Sequence, residues 1–405
     1  MKKLLFLCHR IPFPPNKGDK IRSFNILKTL SEHYDIHLAA FVDDVQDWQF
    51  ASELDKYCSN VCLVPLPKLR HTIFSALGFV TGKPLTLEYF KSKSISNFVA
   101  QTTKGDTDVD IFVFSSSMAQ YVEGDKFKNH SRVIDFVDVD SDKWRQYSKR
   151  GSFPMSWVYA REARLLQDYE IKICAEFNKS IFVSAQEADY FRDIAPVSLS
   201  NRIAAMPNGV DVEYFVPQEK TGSDDESSSI VFTGAMDYWA NVDAVIWFVK
   251  HVWPTLIAKY PTLQFFIVGA NPTDDIKELG SVAGVTVTGK VDDVRPYIAK
   301  ATISVAPMQI ARGIQNKVLE AMAMGKAVVM TPMAAEGIAL PELQKDFVTD
   351  VSKIFAEKVI TLLENGEERQ NIGSENNRKI LHQYQWSKAL SDLVGYFDMS
   401  STATH

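Results

Sequence analysis

The sequence predicts a parallel α/β protein built as two domains, and three observations carry that prediction. Its 405 residues exceed what one hydrophobic core usually organises, so two domains of about 200 residues each are expected, with a cleft between them. Short apolar runs of strand length alternate with longer helical patterns along nearly the whole chain, which is the pattern of parallel sheets covered by helices on both faces. Between two such sets lies Pro217–Ser229, polar, acidic and Ser-rich with no apolar period, the expected interdomain linker.

In chain order, the first set of strands is expected at Leu4–Cys8, Ile36–Val42, Val61–Val64, Ile111–Ser115, Val133–Val137 and Ser180–Val183. Met155–Phe177 places Met155, Val158, Leu165, Leu166, Tyr169, Ile173 and Phe177 at helical spacing on one face, which reads as a packed helix. After the linker, strands are expected at Ile230–Thr233, Leu263–Val268, Val285–Thr288, Ile303–Ala306 and Ala327–Met330. A last helix is expected over Glu367–Phe397, with Trp386, Leu390, Val394 and Phe397 along it. In such sheets ligands bind beyond the carboxyl ends of the strands, so the loops that follow them are where chemistry is sought.

Composition narrows the class. With 46% apolar and 23% charged residues the chain is ordinary globular material. Its longest apolar stretches, such as Ile73–Val80, fall well short of the ~20 residues of a membrane span. The start, Met1-Lys2-Lys3 and a short apolar run ending at Cys8, is too brief for a signal peptide, so a cytoplasmic location is expected. Cys8, Cys58, Cys62 and Cys174 are too scattered for a disulfide framework and read as buried thiols. Residues 1–210 hold 27 Lys and Arg against 25 Asp and Glu, and the remainder 17 against 25, so neither half is basic enough for nucleic acid. Locally, Lys68–Lys93 combines five cations (Lys68, Arg70, Lys83, Lys91, Lys93) with Ile73, Phe74, Leu77, Phe79, Leu85, Leu87, Tyr89 and Phe90. That mix suits an anionic membrane surface and equally suits a packed helix pair with its lysines in water.

Several motifs fail on inspection. The first strand leads into Cys8-His9-Arg10-Ile11-Pro12 with no Gly-x-Gly-x-x-Gly, which argues against a nicotinamide enzyme. Gly284–Lys290 has the spacing of a phosphate loop, but Val291 stands where Ser or Thr is required. Asp138-Val139-Asp140-Ser141-Asp142 alternates carboxylates like a calcium loop, yet Lys143 and Lys149 occupy the positions that need Gly and Glu. Lying just after Val133–Val137, these carboxylates either line the cleft edge or form a solvated turn.

The strongest signal is Arg312-Gly313-Ile314-Gln315-Asn316-Lys317-Val318-Leu319-Glu320 followed by Ala321-Met322-Ala323-Met324-Gly325. A small-residue turn opens a helix near Ile314, Gly325 ends it and a strand follows. Free amides at that helix start, with Arg312 and Lys317, make an anion site suited to a diphosphate, and Glu320 is placed to accept hydrogen bonds from a ribose diol.

At these residues the sequence resembles the retaining family 4 glycosyltransferases of the GT-B fold. The likeness runs through Pro207-Asn208-Gly209-Val210-Asp211, Phe232-Thr233-Gly234, Val268-Gly269, Thr288-Gly289-Lys290-Val291, Leu319–Gly325 and Trp386. The start, His9–Arg22, and Val137–Trp144 look like a subgroup of sugar transferases associated with bacterial exopolysaccharide loci of the exosortase type. The resemblance implies two Rossmann-like domains facing across a cleft: 1–210 for the acceptor, 211–229 as linker, 230–380 for a nucleotide sugar, and 381–405 as a helix and tail crossing back to the first domain.

It also implies roles. Donor binding falls to Gly18, Gly234, Asn241, Gly269, Lys290, Val291, Arg312, Gly313, Asn316, Lys317 and Glu320; the acceptor side to Lys17, Asp19, Lys20, Asp138 and Asp140; catalysis to Asp138, Arg312, Lys317 and Glu320. No metal and no cofactor is expected, only a nucleotide-diphosphate sugar as donor, with a glycan or polyprenyl-linked acceptor and a peripheral site on the inner face of the plasma membrane. Two departures stand out. The family carries two Glu residues eight positions apart; Glu320 matches the second, and Arg312 occupies the first. The family's Arg and Lys after the first strand of the second domain are missing from Gly234–Asn241, so Arg312 and Lys317 are expected to replace them in neutralising the diphosphate. A GT-B epimerase or phosphorylase, or a non-catalytic nucleotide-sugar-binding protein, remains an alternative.

Overall fold

The computed structural model describes all residues except 68–70, 72–76, 219–227, 312 and 399–405. The chain forms two compact units, one of Met1–Pro207 with the chain from Leu390 on, the other Asn208–Ala389.

The first unit is built on seven strands: β1 (Lys2–Cys8), β2 (Tyr34–Val42), β3 (Asn60–Pro65), β4 (Asp110–Phe114), β5 (Arg132–Val137), β6 (Lys179–Phe182) and β7 (Ile203–Ala205). Their order is β3-β2-β1-β4-β5-β6-β7, with every pairing parallel. β1 shows why: Leu4, Leu5, Phe6, Leu7 and Cys8 are all fully buried, as a strand covered by helices on both faces must be. On one face Leu5 and Leu7 pack with Ile111, Val113, Ile134, Ile173 and Phe177.

The second unit holds five parallel strands, β8 (Ser229–Thr233), β9 (Gln264–Val268), β10 (Val285–Gly289), β11 (Ile303–Ala306) and β12 (Val328–Met330), ordered β10-β9-β8-β11-β12. Its core gathers Ile230, Phe232, Phe248, Trp253, Phe265, Ile303 and Phe355. In each sheet the winding reverses beside the first strand, between β1 and β4 and between β8 and β11. The loops leaving those strands flank the crevice where doubly wound sheets take ligands.

Every strand expected from the sequence forms, with ends within about two residues. β7 is the addition: three residues are too short to show alternation. The expected last helix is a correction. It runs Gly366–Gln383 and stops, a short turn of helix follows at Trp386–Ala389, and another at Gly395–Asp398. The break lets Trp386 lie on Gly209, where a Cβ would come within 2.7 Å of the Trp386 Cα. The last described segment belongs to the first unit, where Ser131 Oγ donates to the Phe397 carbonyl and Phe397 meets the Tyr34 ring. Among the described residues no helix is long and apolar enough to cross a membrane.

Candidate active site

In the second unit the site begins where β8 ends. Gly234 takes φ +154°, and its amide donates to the Val268 carbonyl, drawing the loops after β8 and β9 together. The approach is so close that a Cβ on Gly269 would stand 1.7 Å from the Gly234 carbonyl oxygen. The chain then enters the helix Trp239–His251, whose buried Asn241 donates through Nδ2 to the Ala235 carbonyl. That leaves the Asn241 Oδ1 facing outward from the turn.

Lys317 fills this position from across the crevice. It stands in the first turn of the helix Asn316–Ala323, which starts two residues later than expected and has no side-chain cap among the described residues. Its Nζ donates to Asn241 Oδ1 at 2.6 Å, lies 3.6 Å from Met308 Sδ, and sits 5.0 Å above the Phe232 ring. Among the described residues this ammonium has no carboxylate within ion-pair distance. Desolvation lowers its pKa to about 8, against the raising influence of Glu320. Glu320, one turn on, is pushed up to about 7 by the same burial, with Lys317 pulling it back. Asn316 accepts from Asn208 Nδ2 at 3.2 Å. Gly313 takes φ +62°, and its carbonyl accepts from Gln315 Nε2. Arg312 lies outside the described residues.

The remaining donor-side residues sit along β9 and β10. Val291 packs with Val231, Val268 and Ala301, while Lys290 is exposed. An open cavity of about 500 Å³ runs along β10, lined by Pro272, Lys277, Gly280 and Val285–Gly289. It borders Lys290 in sequence and is not lined by Lys317 or Glu320, so cavity size alone does not mark the charged centre.

The first unit treats its charges differently. Lys17 and Gly18 are exposed at the start of the helix Gly18–Ser31. Asp19 is ion-paired to Arg10 at 2.8 Å and lies 3.5 Å from His9 Nε2; burial raises its pKa, but His9 and Arg10 outweigh that and hold it well below the carboxylate range. Lys20 departs from its expected acceptor role: it is 1% exposed and its Nζ is held by Asp47 at 2.5 Å. Arg22 and Asp135 form a second buried pair at 2.7 Å.

β5 delivers Asp138 through a strained turn. Val137, a β-branched residue, takes φ +69° where the register with β6 slips, at a cost of about 1–3 kcal/mol. Ser115, which follows the neighbouring β4, takes φ +80°. Desolvation, Glu187 and Asp140 raise Asp138 to about 6, against Lys143 and Arg22. Asp140 does not reach into open space; it accepts from Ser116 Oγ at 2.8 Å. The alternating carboxylates are held apart: Asp142 accepts from Tyr190, and Ser141 is gripped through its amide and hydroxyl by the buried Glu170, itself raised to about 8 by burial and Asp140. Sequence reasoning assigned no site role to Glu170 or to Asp43, which holds Arg10 Nε at 3.2 Å, because their partners lie on other elements.

Residues 227–365 match the protein family Glycosyl transferases group 1. The two doubly wound parallel sheets have the GT-B fold. The chain is 26% identical over 238 residues to a phosphatidyl-myo-inositol mannosyltransferase of Mycolicibacterium smegmatis, covering 57% of this chain and 61% of that protein, less than two thirds of its length. The fold is similar to sucrose-phosphate synthase from Thermosynechococcus elongatus, with a TM-score of 0.70 at 13% identity over all of both chains. It is also similar to Anabaena HepE, solved in complex with UDP and glucose, with a TM-score of 0.67 at 14% identity over 98% of this chain and all of that one.

Proposed function

We propose that the protein moves a sugar from a nucleotide-diphosphate sugar to a glycan or lipid-linked acceptor in bacterial exopolysaccharide synthesis, with retention and without metal. One observation carries the reading: Lys317, a desolvated ammonium whose hydrogen-bond and ring partners among the described residues are neutral, stands in the first turn of its helix beside the loop after β8. A diphosphate supplies the anion this arrangement lacks. The UDP and glucose bound to HepE support a nucleotide sugar as the ligand, and the mannosyltransferase relative supports transfer to a lipid-linked acceptor. Retention and the exopolysaccharide setting rest on the family resemblance.

As the sugar–phosphate bond breaks, positive charge develops at the anomeric carbon and negative charge on the departing diphosphate. Lys317 and the amides at the start of its helix stabilise that diphosphate; stabilising such charge is usually the largest single term in catalysis. Glu320, once ionised, accepts from the ribose hydroxyls. Arg312 adds a second cation in this reading. Asp138 orients or deprotonates the acceptor hydroxyl, its raised pKa keeping it basic enough near neutrality. Asp19 and Lys17 remain on the acceptor side.

A thermal-shift screen of UDP-, GDP-, ADP- and TDP-sugars followed by product analysis tests the proposal. One nucleotide sugar is expected to stabilise the protein and to be consumed only with acceptor present. Stabilisation by none of them overturns it, and binding without transfer or hydrolysis leaves a non-catalytic binder.

A further inference from the structure

Of the segment 68–93, Lys68, Arg70, Ile73 and Phe74 lie outside the described residues, while Leu87 is buried and Tyr89 and Phe90 pack on the first unit's core. The first unit gathers charge of another kind in the turn after β5 that carries Asp138. Alternate amides of this turn are each held by a buried carboxylate. Val137 donates to Asp135 Oδ1 at 2.9 Å, Val139 to Glu187 Oε2 at 2.9 Å and Ser141 to Glu170 Oε1 at 3.1 Å. The three acids come from β5, from the helix Ala185–Ile194 and from the helix Met155–Glu176. Bonds from amides to ionised carboxylates are among the stronger ones, which suits a turn that holds Val137 at φ +69°.

Asp140 is engaged too, by Ser116 Oγ. Among the described residues Asp138 alone of these five acids accepts no hydrogen bond, and its half-buried carboxylate is the one kept available to a ligand. Glu187 departs from its local pattern. Ser184-Ala185-Gln186-Glu187 has the spacing of a capping box, and Ser184 Oγ accepts from the Glu187 amide at 3.1 Å. In such a box the Glu side chain turns back to the start of its own helix, but here Oε2 reaches the Val139 amide, 48 residues away in sequence. After burial, Glu187 is also the strongest of the groups that raise Asp138. Asp140 acts the same way, and Lys143 of the helix Asp140–Arg150 and Arg22 of the helix Gly18–Ser31 oppose them.

We propose that Glu187 is a positioning residue for the acceptor step, holding the turn that presents Asp138 and setting a negative charge behind it. Bond and charge act separately. Taking away the charge while keeping the bond makes Asp138 easier to ionise and leaves it a weaker base; taking away both lets the turn relax. The proposal rests on the acceptor-side role proposed for Asp138. The titration below contains neither donor nor acceptor, so its failure and the failure of sugar transfer are separate results.

The experiment is a carbon-13 titration of the whole protein labelled at its Asp carboxyl carbons, with the Asp138 signal assigned by its loss in Asp138→Asn. The parent is expected to titrate at about 6. Glu187→Gln keeps an acceptor for the Val139 amide, so it is expected to melt close to the parent and to titrate about one pH unit lower. Lys143→Gln removes an exposed cation and is expected to move the midpoint the other way, by about half a unit. In transfer from the nucleotide sugar chosen by the thermal-shift screen, Glu187→Ala is expected to lose about ten- to a hundredfold in kcat with donor KM unchanged. A midpoint that stays in place in Glu187→Gln, or that moves the same way in both charge variants, overturns the proposal. So does undiminished kcat in Glu187→Ala, and so does unfolding of Glu187→Gln, which would make Glu187 part of the fold alone.

Discussion

At the end of β1 the first unit ties Asp19 to Arg10 and seals Lys20 on Asp47 and Arg22 on Asp135, whereas at the end of β8 and β11 the second unit leaves Lys317 among an amide, a thioether and a ring. Both places are strand ends at a reversal of winding, and both collect charge. The difference lies in who supplies the counter-charge. Where the chain does, the ions are part of the fold, and removing one partner strands the other in low dielectric. Where it does not, a desolvated cation is kept at a cost to stability, and an anionic ligand completes it.

The comparison is sharpened by substituting one member of each kind. Arg22→Met is expected to destabilise the protein by about 3–5 kcal/mol in urea unfolding, because it orphans the buried Asp135, while the folded fraction keeps its donor affinity. Lys317→Met is expected to do the reverse. Transfer falls about 10²–10³-fold in kcat/KM, and stability holds or rises, since burial already disfavours the ammonium. A fall in stability with unchanged transfer would place Lys317 with the structural ions.

Asp138→Asn tests the strained turn after β5. An expected drop of about 10²–10⁴ in kcat with donor affinity unchanged would assign it to the acceptor step. Equal losses in donor binding would not.

The smallest expected effect is on pH. Lys317 must be protonated and Glu320 ionised to hold the donor, so affinity is expected to peak between about 7 and 8 and to decline on both sides. Lys317→Arg should abolish the alkaline decline, because a guanidinium stays charged. For stability the signs are opposite in origin. Lys317, with its pKa lowered on folding, makes the protein more stable as pH rises from about 8 towards 10.5, where only the unfolded chain still binds that proton. Glu320, with its pKa raised, removes stability as pH rises from 4.5 to about 7.

Much of this was legible in the residues. Runs such as Leu4–Cys8 and Ile303–Ala306 announce buried parallel strands, and Ile314 to Gly325 announces the short helix that carries Lys317 and ends at a positive-φ glycine. The partners were not legible, because they come from other elements. Nothing near Lys20 in sequence reveals Asp47, so a cation beside a glycine loop read as a ligand contact. Asn241 and Lys317 lie 76 residues apart, and only the winding of the sheet brings them to 2.6 Å. Gly209 and Trp386 were separate signals until the break after Gln383 set one on the other. Val137 gave no cue, since a positive φ is read from glycine and not from valine.

The most direct test of the central claim, that Lys317 supplies the charge missing from the loop after β8, is calorimetric titration. The nucleoside diphosphate chosen by the thermal-shift screen is titrated into the parent and into Lys317→Met at pH 7.5. The account predicts an affinity about 10–100-fold weaker in the variant, as for one lost hydrogen bond to a charged group. Affinities within twofold of each other would contradict it.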